Sequence, residues 1–371
     1  MADLDDLPLL DQLEGAPHPR ETPRLFGQDA AQAAFLRAYN SDRLHHGWLI
    51  TGPRGVGKAT LAWRIARFLL ATPPVEPDAL FAPPPPTTLD IPESHPVARR
   101  LLSGADGGLL VIRRSHDDKG NARKMIVVED TRRLQPFFGL SATDGGRRVV
   151  IVDAADDMNT NAANAILKAL EEPPARTTLL LISHQPSRLL PTIRSRCRDL
   201  RLAPLSGADF DAALAAAGVD SDGPALAALS GGSVGAAVEL AQGGGAALYA
   251  QLLALAATMP KLDRQAAIAL AESMAGKASA TRFDLFLTLF DLFMARLSRT
   301  GVAGPPHPEA AKGEAATLAR LCPHPQAARD YATFAQTLGA RARHGRAVNL
   351  DPAALVLDML LQLDTRARRH A

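Results

Sequence analysis

Trp48-Leu49-Ile50-Thr51-Gly52-Pro53-Arg54-Gly55-Val56-Gly57-Lys58-Ala59-Thr60 joins a short apolar run to a glycine-rich turn and the start of a helical pattern. The turn has the G-x-x-x-x-G-K spacing of a phosphate-binding loop. Glycines let backbone N–H groups converge on phosphate oxygens. The N-terminus of the following helix adds partial positive charge, and the lysine reaches the β- and γ-phosphates. Gly52, Gly55, Val56, Gly57, Lys58, Ala59 and Thr60 are therefore the candidate nucleotide-binding residues. The hydroxyl that binds Mg²⁺ in such loops belongs at residue 59, which is alanine. Thr60 lies about 100° further round the helix and should face elsewhere. The loop can hold phosphates, but its grip on Mg²⁺ is weak or absent.

Working outward, four more short runs carry the strand signal: Leu109-Leu110-Val111-Ile112, Ile126-Val127-Val128, Val149-Val150-Ile151-Val152 and Leu179-Leu180-Leu181-Ile182. Continuous apolar runs of this length read as strands buried on both faces, as in parallel sheets covered by helices. Between them, Ala62, Ile65, Ala66 and Leu69 share one helical face. So do Ala162, Ile166, Ala169 and Leu170, before Pro173-Pro174 stops that helix. The sum is an α/β domain with a parallel sheet over 24–204. Proline-crowded residues 73–96 read as an extended, poorly ordered insertion.

The run Val149 to Val152 ends in Asp153, a candidate Mg²⁺ ligand through water. The residue expected to polarise an attacking water follows directly and is Ala154. Asp156 and Asp157 lie further on and are weak substitutes. The pocket thus lacks two groups that hydrolysis needs. After the last apolar run come Arg194, Arg196 and Arg198, spaced two apart. They read either as a solvated basic turn or as groups that meet anions, with Arg196 an arginine finger acting on a neighbour's γ-phosphate. Cys197 reads as a packing residue.

Beyond 204 the strand signal ends. Residues 205–244 read as a small helical unit and 245–371 as helical throughout. Phe283, Phe286, Leu287, Phe290, Met294 and Leu297 recur three and four apart, and Leu285, Leu289 and Phe293 widen the stripe. A helix so broadly apolar is buried on more than one side, in a bundle core or against another subunit.

Composition sets the limits. The 371 residues suggest two or three domains at roughly 150 residues each. A 47% hydrophobic content supports a sizeable core, while 41 basic against 39 acidic residues give no global pull toward nucleic acid or membrane. Two cysteines exclude a disulfide framework and a multi-cysteine zinc site, and fit a reducing cytoplasm. No apolar run reaches the roughly 18 residues that span a bilayer, so no membrane partner is expected. Residues 1–23, acidic and proline-dotted, read as a flexible tail.

Three segments, taken together, are more specific: Gly52-Pro53-Arg54-Gly55-Val56-Gly57-Lys58, Asn164-Ala165-Ile166-Leu167-Lys168-Ala169-Leu170-Glu171-Glu172-Pro173-Pro174, and Ile193-Arg194-Ser195-Arg196-Cys197. In this order and spacing they resemble the clamp-loader branch of the AAA+ family. The resemblance implies a RecA-like P-loop domain with a parallel sheet, a helical lid and an all-α collar that joins five subunits. It implies work in the DNA polymerase III holoenzyme, loading a sliding clamp on primer-template DNA beside motor subunits and a delta subunit. The departures imply the role within the ring. Motor subunits have a hydroxyl at position 59, a glutamate at 154 and a lid arginine. This chain has Ala59, Ala154 and, in Gly232-Ser233-Val234-Gly235, a glycine at the lid position. What remains is a subunit that binds ATP or ADP without hydrolysis and lends Arg196 in trans. The alternative is an active motor subunit that tolerates both alanines. The resemblance also implies a four-cysteine zinc module where 73–96 stands; without its cysteines, no zinc or other metal is expected. Asn349-Leu350-Asp351-Pro352, followed by Leu355, Leu357, Leu360 and Leu361, suits the last collar helix.

Overall fold

The computed structural model describes residues 9–41, 44–72, 84–139, 146–219, 223–276 and 279–370. Its contacts divide the chain into two compact units, Met1–Gly218 with Ser233–Gly235, and Val219–Gly232 with Ala236–Ala371. The segment 205–244, expected as a lid of its own, is therefore shared between the two.

The first unit is built on five parallel strands in the order β2-β3-β4-β1-β5. They are Gly47–Thr51 (β1), Leu109–Arg113 (β2), Arg148–Asp153 (β3), Thr177–Ser183 (β4) and Arg198–Arg201 (β5). In the register Leu49 pairs with Leu181, Val150 with Leu179 and Arg113 with Asp153. Val149 to Val152 and Leu179 to Ile182 are at most 1% exposed. Each such side chain contributes roughly 1.5–3 kcal/mol of burial, which selects uninterrupted apolar runs for the central strands. The expected strand at Ile126-Val127-Val128 does not form. Ile126 makes one isolated bridge to Met158, and Val128 already opens a short helix. The fifth strand is instead β5, in the arginine segment. It pairs only with β1, and Leu200 alone of its residues is buried. An edge strand needs one buried side chain, so its sequence carries no apolar run.

The helices of this unit are Asp29–Asn40 (α1), Lys58–Ala71 (α2), Pro96–Leu102 (α3), Val128–Thr131 (α4), Leu134–Gly139 (α5), Thr160–Glu171 (α6), Pro191–Arg194 (α7) and Gly207–Ala216 (α8). Helix α6 begins under a cap, with the Asn159 side chain accepting from Ala162 N–H at 2.9 Å, and it ends before Pro173-Pro174 as expected. Helix α2 is buried nearly all round, including Arg64 and Arg67.

That burial has a source the sequence reading did not foresee. Residues 9–23, expected as a flexible tail, pack as a strap of turns. His18 is 1% exposed and stands edge-on to Trp63, and its imidazole pairs with Asp11, which also pairs with Arg113. Arg67 donates to the carbonyl of Arg20 and Arg64 to that of Pro23. Of the proline-rich insertion, 73–83 lies outside the described residues. The remainder is anchored: Leu89 is buried and Asp90 pairs with Arg64 at 2.7 Å.

The second unit contains Gly223–Ser230 (α9), most of Val234–Gln242 (α10), Gly245–Thr258 (α11), Arg264–Glu272 (α12), Ala280–Ala303 (α13), Glu314–Leu321 (α14), Pro325–Ala347 (α15) and Pro352–Ala367 (α16). Helix α13 packs along α15, and α12 along α16. Phe283, Phe286, Leu289, Phe290, Phe293, Met294 and Leu297 are buried within this one chain, so the wide stripe is bundle core. Leu285 and Leu287 are half-buried. Among the described residues no single helix is long and apolar enough to cross a membrane.

Candidate phosphate site

In a parallel sheet all loops after the strands leave at one edge, and ligands settle where consecutive connections diverge. Here β1 connects toward β2 and β4 toward β5, in opposite directions across two adjacent strands. The loop 52–57 stands at that point and leads into α2. Gly57 is the N-cap of α2 with φ +94°, and Gly55 has φ +74°; both conformations favour glycine. The candidate residues Gly52, Gly55, Val56, Gly57, Lys58, Ala59 and Thr60 thus come together as one strand–loop–helix turn. Ala59 is the second residue of α2 and offers no oxygen.

Lys58 is 3% exposed. Its ammonium donates to the carbonyl of Gly52 at 2.8 Å and to that of Pro53. Burial pulls its pKa down to about 8, against the opposing pull of Asp153 and Asp156 and with help from Arg54. Burial likewise pushes the Asp153 carboxyl up to about 7, assisted by the charge of Asp11 and opposed by Lys58. Lysine and aspartate therefore lie within mutual electrostatic reach, at the start of α2 and the end of β3. Ala154, buried and apolar, follows Asp153 and supplies no base.

The loop is held from three sides. Gln28 donates to the Val56 carbonyl at 3.3 Å and to the Ala203 carbonyl at 2.7 Å. Leu25 lies against Gly57. The segment Ser233–Gly235 docks on the loop: the Ser233 hydroxyl donates to Arg54 O at 2.8 Å, and Gly235 N–H donates to Gly55 O at 3.0 Å. Sequence reasoning noted Gly232-Ser233-Val234-Gly235 only for a missing arginine. Its docking and the role of Gln28 leave no local signal, because both rest on backbone carbonyls far along the chain. Asp156, read as a weak substitute base, has a different place. It accepts the N–H groups of His184 and Gln185 at 2.6 and 3.1 Å and so ties the turn after β3 to the loop after β4. Burial, with the nearby Lys58 charge, lowers the His184 pKa to about 4, which keeps its imidazole neutral.

A cleft of about 850 Å³ opens beside the loop, lined among others by Thr51, Pro53, His184, Arg194, Asp199 and Arg201. Lys58 does not line it. Arg196, after α7, is at the surface. It donates to Thr192 O at 3.1 Å and pairs with Glu171 at 3.0 Å, both side chains well over a third exposed. An ion pair so exposed is worth about 0–1 kcal/mol. Arg198 lies over the Trp48 ring at 5.5 Å. Cys197 packs against the sheet core, and burial followed by Asp199 pushes its thiol up to about 12, an inert packing residue.

The strand order, the glycine loop on α2 and the carboxylate ending β3 define a P-loop α/β module. Residues 27–206 match the family model described as DNA polymerase III, delta subunit. That match takes in 180 of the 371 residues, and over it the chain is similar to DNA polymerase III delta-prime subunits. The subunit delta' of Pseudomonas aeruginosa is 41% identical over 192 residues, 51% of this chain and 53% of that protein. That of Escherichia coli is 32% identical over 215 residues, 56% and 58% of the two chains. The chain thus spans about half the length of the curated relatives it matches. A solved DNA polymerase III gamma subunit-related protein of Thermotoga maritima aligns with 90% of this chain and 100% of its own, at 18% identity and a TM-score of 0.38.

Proposed function

We propose that this chain is a clamp-loader subunit of DNA polymerase III that does not fire its own site and serves a neighbour's. It would work in the cytoplasm, in a hetero-pentamer with motor subunits and a delta subunit, and help place the sliding clamp on primer-template DNA. The observation that carries the reading is an asymmetry. The chain's own phosphate loop keeps Lys58 but has Ala59 and Ala154 where metal and water need polar groups, while Arg196 stands at the surface.

Hydrolysis needs a cation against the charge that spreads over the transferred phosphoryl oxygens. A guanidinium meets such oxygens through two parallel donors. Arg196 need give up only an exposed pair with Glu171 and one hydrogen bond to a carbonyl to reach an adjoining protomer's phosphate. The local loop, fastened by Ser233–Gly235, keeps the groups that hold the phosphates of ATP or ADP and lacks those that turn them over.

The test is reconstitution with motor and delta subunits. Arg196→Ala should leave assembly intact and slow single-turnover hydrolysis at the adjoining site by about 10³-fold or more. An unchanged rate would refute the trans role. The isolated chain should show no turnover; brisk hydrolysis would favour the motor-subunit reading.

A further inference from the structure

Arg194, Arg196 and Arg198 follow one another at intervals of two, yet among the described residues only Arg196 pairs with a carboxylate, that of Glu171 at 3.0 Å. The partners come from different elements. Glu171 is the last residue of α6, and Arg196 follows α7. Both backbones are fixed at this point. The end of α6 is held by His46, whose Nε2 donates to Leu170 O at 3.0 Å, and Pro173-Pro174 stops the helix there. On the other side Ile193 is fully buried, Cys197 packs against the sheet core, and Arg196 N–H donates to Ile193 O at 3.1 Å. The guanidinium therefore moves by its side-chain torsions alone.

The pair is built to be weak. Its two side chains are 39% and 45% exposed. Water screens such a pair, so it rests the guanidinium in one place without locking it. Of the five N–H donors, Nη2 meets Glu171 and Nη1 donates to Thr192 O at 3.1 Å. A phosphate carries more charge than a carboxylate and fits the guanidinium fork as well, so it displaces Glu171 when it arrives.

We infer, on the footing of the trans role proposed above, that Glu171 regulates the finger: its carboxylate parks Arg196 until an adjoining protomer presents a triphosphate, and engagement exchanges that carboxylate for a phosphate. Glu171 is a positioning residue, since it acts only through Arg196. It sets a threshold, because its charge competes with the γ-phosphate for one cation and repels it.

The full chain is assembled with motor and delta subunits, and single-turnover ATP hydrolysis is followed at the adjoining site. Glu171→Gln keeps the shape of the side chain and removes its charge. It should raise the rate about two- to fivefold at low salt, the range an exposed pair can supply. That ratio to wild type should shrink in about 0.5 M salt, where surface charges are screened. In an Arg196→Ala background the same substitution should change nothing, a non-additivity that a merely structural role would not produce. A rate that is unchanged or lower, a rise that persists without Arg196, or loss of assembly by Glu171→Gln overturns the inference and leaves the trans role standing. If Arg196→Ala alone leaves the rate unchanged, the trans role falls and the parked finger falls with it.

Discussion

Gly55 and Gly235 meet backbone to backbone. A Cβ built on either glycine would come within 2.9 Å of the other's Cα, and their backbones share a 3.0 Å hydrogen bond. The glycine at the lid position is therefore needed for the approach that fastens the phosphate loop. Gly235→Arg should push Ser233–Gly235 off the loop at a cost of about 1–3 kcal/mol. Thermal unfolding should fall by several degrees. ATP turnover should stay absent, because Ala59 and Ala154 are untouched. A variant as stable as wild type would show that the docking carries no weight.

The half-buried Asp153, at the end of β3, sets a pH window. Its folded pKa, about 7, lies above the ordinary 3.8, so the native state holds the proton more tightly than the unfolded chain. Its contribution to stability is then fully present below about pH 4 and lost as pH rises to about 7, with a slope of at most about 1.4 kcal/mol per unit. Lys58 has the opposite displacement, from 10.5 to about 8, so stability returns as pH rises through that window. Asp153→Asn should accordingly be more stable than wild type at pH 8 and should lose the advantage near pH 4. Urea midpoints at both pH values decide it; an equal difference at the two would contradict titration of this carboxyl.

The strap over α2 depends on Asp11. Burial alone would raise its pKa, but hydrogen bonds from His18 and Arg113, reinforced by their charges, hold it at about 2. A lowered folded pKa stabilises above about pH 4, and that stability is lost as pH falls toward 2. Asp11→Ala strands the buried His18 and the half-buried Arg113, and should cost about 2–3 kcal/mol at pH 7. Hydrogen exchange should show residues 9–23 losing protection. Unchanged exchange would mean the strap is held by Arg64 and Arg67 alone.

In the helical unit, Glu314 has no exposed surface. It accepts from Tyr249 Oη at 2.6 Å, from Arg296 Nε and Nη2 at 2.6 and 2.8 Å, and from Ala310 N–H at 2.6 Å. Glu314→Ala would leave the Arg296 charge and the Tyr249 hydroxyl without their partner. Breaking a buried pair costs about 3–5 kcal/mol. Denaturant unfolding should show the helical unit melting first, as a separate transition. A single unshifted transition would count against this assignment.

Much of the α/β core was legible because its signals are local. Val149 to Val152 and Leu179 to Ile182 must be apolar at every position when both faces of a strand are covered. Glycines at 55 and 57 are required by positive φ within a single turn. The end of α6 is written in Pro173-Pro174. The candidate site was legible to the same extent: the loop, Lys58 and Asp153 converge, and the missing oxygens of Ala59 and Ala154 are compositional facts. The misses have a common cause. Arg198 to Arg201 reads as polar because an edge strand buries one side chain, and Ile126 to Val128 reads as a strand although Ile126 alone lies alongside the turn after β3.

The order of residues along the chain was enough to dictate the central strands, the glycine turn and the long helices, and which groups the phosphate loop possesses, since those depend on neighbours a few positions apart. Only folding brought Ser233 to Arg54 across 179 positions, Asp11 to Arg113 across 102, and Asp156 to the N–H groups after β4. In two of these pairings the partner is a backbone group that every residue carries, and in all three the distance is closed by the sheet and by the packing of α2. No periodicity could announce them. Closure of the loop, anchoring of the strap and the resting place of Arg196 beside Glu171 are therefore properties of the packed chain.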